Sequence, residues 1–174
     1  PQCGHSISVK LSALHPRYEA AQSDTCIPAL VERVGLLAER AAAHGLALTV
    51  DAEEAARLIL SLDVIRGVAA RPSLSGWDGL GMAVQAYSKR AGAVIDWADA
   101  LAKATGRRMA VRLVKGAYWD TEIKLAQERC LPDYPLYSRK SATDVSYLAC
   151  AKAMLAAPHI YPAFATHNAM TVAT

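Results

Sequence analysis

No run in this chain of 174 residues reaches the roughly 18 uninterrupted apolar positions of a membrane span, and no basic run is interleaved with aromatics. The net charge of +3 is small, so the charge balance argues for no nucleic-acid partner. Also missing is a charged segment followed by an apolar one at the first residues, so no secretory leader is visible. The four cysteines, Cys3, Cys26, Cys130 and Cys150, fit no CxxC spacing. Cysteines so scattered suit reduced thiols, and a cytoplasmic location is expected. The five histidines offer no HExxH or comparable ligand spacing, so no metal site is expected. Low-complexity segments and near-identical repeats are lacking too. About half the residues are apolar, enough for one sizeable core and against disorder.

The most informative stretch is Val111 to Asp120, VRLVKGAYWD. Its approach, from Met109 to Val114, is apolar on both faces except at Arg112. Such a run suits a parallel strand covered on both sides, where an unpartnered guanidinium would cost several kcal/mol. Lys115 and Gly116 follow, then Tyr118 and Trp119. A glycine at a strand's end permits close approach of a ligand or another backbone, and aromatics offer flat surfaces for a planar ligand. Ion pairing of Arg112 and Lys115 with nearby acids is the structural alternative.

Taken in order, residues 6 to 12 alternate, placing Ile7, Val9 and Leu11 on one face and Ser8, Lys10 and Ser12 on the other, as in a strand. Helical spacing over 27 to 43 predicts a helix capped by Gly45. Leu46 to Asp51 predicts the second strand, with Asp51 opposite Leu48 and Val50. A helix from Glu53 to about Ala70, a loop at Pro72 to Gly79, and a third strand from Leu80 to Tyr87 follow, with Gln85 near its end. The third helix covers 91 to 104 and leads into the Arg112 strand. Beyond it are expected a short helix at Thr121 to Glu128, a helix from about Ala142 to Ala156, and a strand from Ile160 to His167 with Pro162 near its start.

Strands alternating with helices build βα units and a parallel sheet. A doubly wound sheet and a barrel both fit that pattern. No glycine-rich phosphate turn follows the first strand, and Lys10, Asp51, Gln85 and Arg112 all fall near the C-terminal ends of their strands, where a (β/α)8 TIM-barrel places its chemistry. The expected fold is therefore an α/β, (β/α)8 TIM-barrel type. With five of eight units in hand, the chain is expected to be a barrel truncated after its fifth strand.

The segments SVKLSALHPRYE (8–19), DAEE (51–54), QAYSKR (85–90), RLVKGAYWDTEIK (112–124), YSRKSATDVSYLACAK (137–152) and FATHNA (164–169) resemble the proline dehydrogenase domain of bacterial bifunctional proline utilisation A proteins over essentially the whole length. The resemblance implies an enzyme that binds FAD, oxidises L-proline to pyrroline-5-carboxylate and passes electrons to a quinone. It also implies a pyrroline-5-carboxylate dehydrogenase domain in the same parent chain, and a parent located in the cytoplasm or peripherally at the inner membrane. By position, Lys10 would contact the substrate carboxylate, Asp51 would support the site and Tyr118 would pack on the proline ring. Gln85, Arg112, Lys115, Gly116 and Trp119 would line the flavin, with Thr166 and His167 adding contacts. The family's paired arginines and nearby glutamate on a late helix have no counterpart in residues 1 to 174, so an inactive piece is expected.

Structural alternatives accompany each assignment. Lys10 and Asp51 could be an ion pair across neighbouring strands, Gln85 could satisfy backbone groups at a strand end, Tyr118 and Trp119 could cover the rim, and His167 could be structural. Two other function classes compete: a barrel lyase or aldolase using Lys10 or Lys115 as a Schiff-base nucleophile, and an inactive folded remnant self-associating through open sheet edges.

Overall fold

A computed structural model describes residues 4–173. Five parallel strands, β1 (Ser6–Val9), β2 (Ala47–Val50), β3 (Leu80–Gln85), β4 (Met109–Val114) and β5 (Ile160–Phe164), pair strictly in sequence order. The order settles the architecture: a doubly wound sheet reverses at a switch point, whereas each strand here pairs with the next, as successive staves of a barrel do. The helices are α1 (Leu11–Leu14), α2 (Ser23–Ala43), α3 (Leu58–Ala69), α4 (Ala91–Ala104), α5 (Trp119–Glu128), α6 (Lys140–Ala156) and α7 (Ala169–Ala173).

Period-two alternation divides the strands cleanly. Leu48, Val50, Leu80, Met82, Val84, Met109, Val111, Leu113 and Ile160 are buried against the helices, where Leu30, Val34, Ile65, Val68, Ile95, Ala98, Tyr147 and Met154 meet them in one core. At roughly 25 cal/mol per Å² of apolar area removed from water, this layer is the main stabilising term. The opposite parity carries small and polar residues: Ser8, Thr49, Gly81, Ala83, Gln85, Ala110 and Arg112. The inner side of β4 is therefore not a covered apolar face, as its composition suggested, but a half-buried wall with Arg112 projecting from it.

Several boundaries differ from expectation for local reasons. β1 stops at Val9, and Lys10, still extended at φ −96°, precedes the short helix α1, whose Ser12 N–H donates to Glu53 Oε1 at 3.0 Å. Apolar alternation continues through Leu11 although the chain has left the strand. α2 starts at Ser23 with Asp24 in its first turn, where a negative charge favours the exposed N–H groups. Gly45, at φ +65°, closes it as expected. α3 starts at Leu58 because residues 51–54 are drawn into the site and Ala55–Arg57 form a 3₁₀ turn. Pro162 lies mid-strand in register with Val111 of β4; Ala165 N donates to Leu113 O, so by the strand's period of two the N–H missing at Pro162 would point away from β4 and that ladder loses no bond. Helix α4 coincides with its predicted span.

At the opposite end of the sheet from these loops, Arg107 is buried with no carboxylate in contact among the described residues. Its guanidinium donates to the carbonyls of Ala69 (2.7 Å), Leu74 (3.3 Å) and Trp77 (3.4 Å), and to Thr105 Oγ1 (3.1 Å). Burial pulls its pKa below the ordinary arginine value. One of those carbonyls terminates α3, so the guanidinium caps a helix end that would otherwise lack partners. Arg107→Met is expected to lower unfolding free energy by about 2–4 kcal/mol, because the stranded carbonyls cost more than the relieved desolvation returns. An unchanged urea midpoint would contradict this.

Cys26 and Cys150 are buried free thiols and Cys130 is exposed; Cys3 lies outside the described residues. Among the described residues no cluster of His, Cys, Asp or Glu could hold a metal ion, and no helix is long and apolar enough to cross a membrane.

Candidate active site

The C-terminal ends of all five strands open onto one cavity of about 890 Å³. The placement follows from the pleat: residues whose parity points them inward, continued one step past the strand, arrive at the rim. β2 leads into Asp51, β3 ends on Gln85, β4 leads through Val114 into Lys115–Tyr118, and β5 leads into Thr166–Asn168.

At the centre, Asp51 lies between two cations. Its Oδ2 accepts from Lys10 Nζ at 3.3 Å, and its Oδ1 accepts from Arg112 Nη2. Arg112 Nη1 reaches across the sheet to Ser8 Oγ at 3.0 Å. Burial alone would lower the Lys10 pKa, but the Asp51 hydrogen bond and charge, helped by Tyr118, outweigh it and raise it. Lys10 is thus a firmly protonated cation with half its side chain open, and the trio carries a net charge of about +1. Such a group attracts an anion. A Schiff-base nucleophile needs the reverse, a lysine whose pKa is depressed.

Lys115 is held differently. Its ammonium donates to Asp144 Oδ1 and to Thr171 Oγ1 (3.3 Å), and it lies 5.8 Å from the Tyr147 ring centroid. Hydrogen bonds from Lys115 and then Lys140 hold the Asp144 carboxyl below the usual carboxylate range. Lys115 therefore ties α6 and α7 to the end of β4 while lining the cavity. Gln85 bridges two site loops, its Nε2 donating to Glu53 O (2.9 Å) and its Oε1 accepting from Ala117 N (3.1 Å). That backbone-satisfying role is the structural alternative foreseen for it, and one amide proton and one lone pair remain free. Gly116 has φ +140°, and a Cβ there would be driven into the Tyr87 ring beneath it.

Thr166 Oγ1 accepts from Asn168 N (3.1 Å), whose Oδ1 caps Thr171 N (3.2 Å) at the start of α7, while His167 is exposed on the cavity wall. Of the expected residues, Trp119 alone is off the cavity: it opens α5 and its indole N–H donates to Tyr137 O at 3.1 Å.

Three contributors had no assignment from sequence. Ser8 shares the parity of Lys10, but its role rests on a contact 104 residues away, and Lys140 offers no spacing signal, its placement depending on the start of α6. Glu53 has the parity of Asp51, two positions on, which could have flagged it. Its carboxylate accepts from Ser12 N and Arg57 Nη1, and its carbonyl from Gln85, so it fixes three neighbours at once.

A family model described as proline dehydrogenase matches residues 1–174. The chain belongs to the proline dehydrogenase family. It is 54% identical over 171 residues to the Bifunctional protein PutA of Salmonella typhimurium and 53% identical to that of Escherichia coli, covering 98% of this chain and 13% of each relative. Among solved structures, a mutant of Bradyrhizobium japonicum Proline Utilization A superposes with a TM-score of 0.95 at 63% identity, covering 97% of this chain and 17% of that one. Proline utilization A from Bdellovibrio bacteriovorus inactivated by N-propargylglycine gives 0.91 at 32% identity, covering 96% and 17%. This proline dehydrogenase chain thus spans about an eighth of the length of its curated relatives, and its sheet is the TIM-barrel type of the domain it matches.

Proposed function

We propose that the chain is part of a longer polypeptide that oxidises L-proline to pyrroline-5-carboxylate with FAD and passes the electrons to a quinone. The observation that carries this reading is the Lys10–Asp51–Arg112 trio, an anion-attracting group at the mouth of the barrel strands in a proline dehydrogenase family member. The cavity suits a flavin: about 890 Å³ is ample for a large planar cofactor, and Arg112, Lys115 and Lys140 on its walls match a ligand carrying phosphates. Arg112, Gln85, Gly116, Thr166 and His167 would hold it, with Lys115 and Lys140 completing the charge. Trp119, committed to Tyr137, is left out of that set. FAD supplies the two-electron acceptance that no side chain here offers.

The chain's own residues bind and orient. Lys10 holds the proline carboxylate as a point charge, Asp51 keeps Lys10 and Arg112 apart and aligned, and Tyr118 covers the ring. Anaerobic visible spectra of the parent protein test the reading. A flavin band that bleaches on adding L-proline is expected; a colourless protein, or a flavin indifferent to proline, would sink it.

The relatives' name, Bifunctional protein PutA, supports a second, linked activity in the parent chain; as part of the same proposal, that activity is a pyrroline-5-carboxylate dehydrogenase domain and the parent works in the cytoplasm or at the inner-membrane surface. The domain boundary follows the same reading: residues 1–174 are a partial barrel, with strands six to eight and the late substrate-binding helix supplied by the rest of the parent. The isolated chain is accordingly inactive, and proline-dependent reduction of added FAD by it would refute this. Among the described residues β1 and β5 each have one unpaired edge, so the isolated chain self-associates; a single monomeric species in sedimentation velocity would count against that.

A further inference from the structure

Arg112 stands on β4, yet one of its two partners is on β1, at the far edge of the sheet. Its Nη1 donates to Ser8 Oγ at 3.0 Å, while its Nη2 donates to Asp51 Oδ1. The register explains how the side chain crosses. Ser8 is level with Thr49, Thr49 with Gly81, and Ala83 with Arg112 itself. At that height the inward parity of the two intervening strands thus offers nothing larger than a threonine. Gly81 is held bare, because a Cβ there would come within 2.8 Å of Ala110 O and 3.2 Å of Thr49 Oγ1. Over so low a floor the guanidinium lies across β3 and β2 and reaches the β1 hydroxyl.

The two anchors differ in what they hold. Asp51 is shared: its Oδ2 also accepts from Lys10 Nζ at 3.3 Å, so its grip on Arg112 changes whenever Lys10 turns to another anion. The Ser8 hydroxyl bonds only to Arg112 among the described residues, and it carries no charge for a ligand to compete with. A guanidinium is a rigid planar fork of N–H donors. One anchor on Nη2 leaves that plane free to swing, whereas anchors on Nη1 and Nη2 together fix it. Nε–H and the other Nη protons have no partner among the described residues, and Arg112 is part of the cavity wall. Ser8 does not line that cavity.

We propose that Ser8 is a positioning residue: it fixes the plane of the Arg112 guanidinium so that the free N–H groups are presented to the cavity, and it acts on a bound ligand only through Arg112. What Arg112 does to that ligand rests on the flavin reading above, since a cation held beside the ring stabilises the reduced, more negative form. Loosening the guanidinium therefore favours the oxidised form.

Ser8→Ala and Ser8→Thr in the parent protein test this. Alanine removes only the hydroxyl, and threonine, well suited to a strand, restores it. In a dithionite titration against an indicator dye, the oxidised-to-reduced flavin ratio of Ser8→Ala is expected to be about threefold higher than that of the unsubstituted protein at the same potential, with Ser8→Thr within about 1.5-fold of it. An unshifted ratio in the alanine variant, or a shift that threonine does not reverse, overturns the proposal. A lower melting temperature with the ratio unchanged overturns it as well, because a purely structural hydroxyl would give that result. Dithionite needs no proline, so a flavin indifferent to proline would sink the proline reading and leave this test intact. Crystal structures of the two variants decide the matter even for a colourless protein. The Arg112 guanidinium is expected to leave its place beside β1 in Ser8→Ala and to keep it in Ser8→Thr; an Arg112 unmoved in Ser8→Ala overturns the proposal.

Discussion

Asp51→Ala in the parent protein is expected to reduce kcat/KM for L-proline by about 100-fold or more, some 2.7 kcal/mol of transition-state stabilisation. Among the described residues the carboxylate is the only acid touching either Lys10 or Arg112. Without it the two cations face each other unscreened, and burial, which by itself lowers the Lys10 pKa, goes unopposed by the Asp51 hydrogen bond and charge. Both side chains would splay, and the carboxylate of the substrate would lose its positioned partner. Asp51→Asn separates the causes. It retains an acceptor for Lys10 but not the charge, so it recovers part of the geometry and little of the electrostatics. Steady-state kinetics with a dye acceptor measure both variants, and an alanine variant within about threefold of the parent would remove Asp51 from the machinery.

The same trio marks how far sequence alone could be read. Asp51, Gln85 and Arg112 were placed by parity, because a strand's period of two dictates which side chains face inward whatever the rest of the chain does. Strand order was also inferable in kind, since consecutive βα units fold back beside one another. Helix α4 spans the 91–104 that its apolar spacing predicts, with Gly106 at φ +64° just past its end.

Lys10 marks the limit. Alternation carried it onto a strand, whereas a carboxylate from 41 residues away caps the turn that begins just after it. No local pattern encodes that capture. Trp119 lies off the cavity for a related reason: one position past Tyr118, a helix begins and turns its indole N–H toward Tyr137 O. For Lys115 the sequence leaves a ligand contact and an ion pair open; the structure places it on the cavity wall and pairs it with Asp144. Whether a cation faces a ligand or an acid is decided by Asp144 and Thr171, which only the packing of α6 and α7 brings near.

Gly116→Ala is expected to be the most damaging single methyl in the chain. Two penalties coincide there. At φ +140° an L-residue other than glycine is strained by about 1–3 kcal/mol, and the added Cβ is forced into the Tyr87 ring, an overpacking that costs a further ~1–3 kcal/mol. Neither can relax cheaply, because the backbone on both sides is committed: Lys115 O accepts from Tyr87 N at 2.8 Å, and Ala117 N donates to Gln85 Oε1. Relief would come from lifting Lys115–Tyr118, the strap that follows β4, which opens the cavity wall and carries Tyr118 away from Lys10. The purified parent variant should therefore melt lower and retain little bound flavin, measured as the ratio of visible to ultraviolet absorbance. Lower stability with full flavin content would mean that the strap yields without disturbing the cavity. Unchanged stability would mean that the Tyr87 ring is free to move, which its burial beneath the strap argues against.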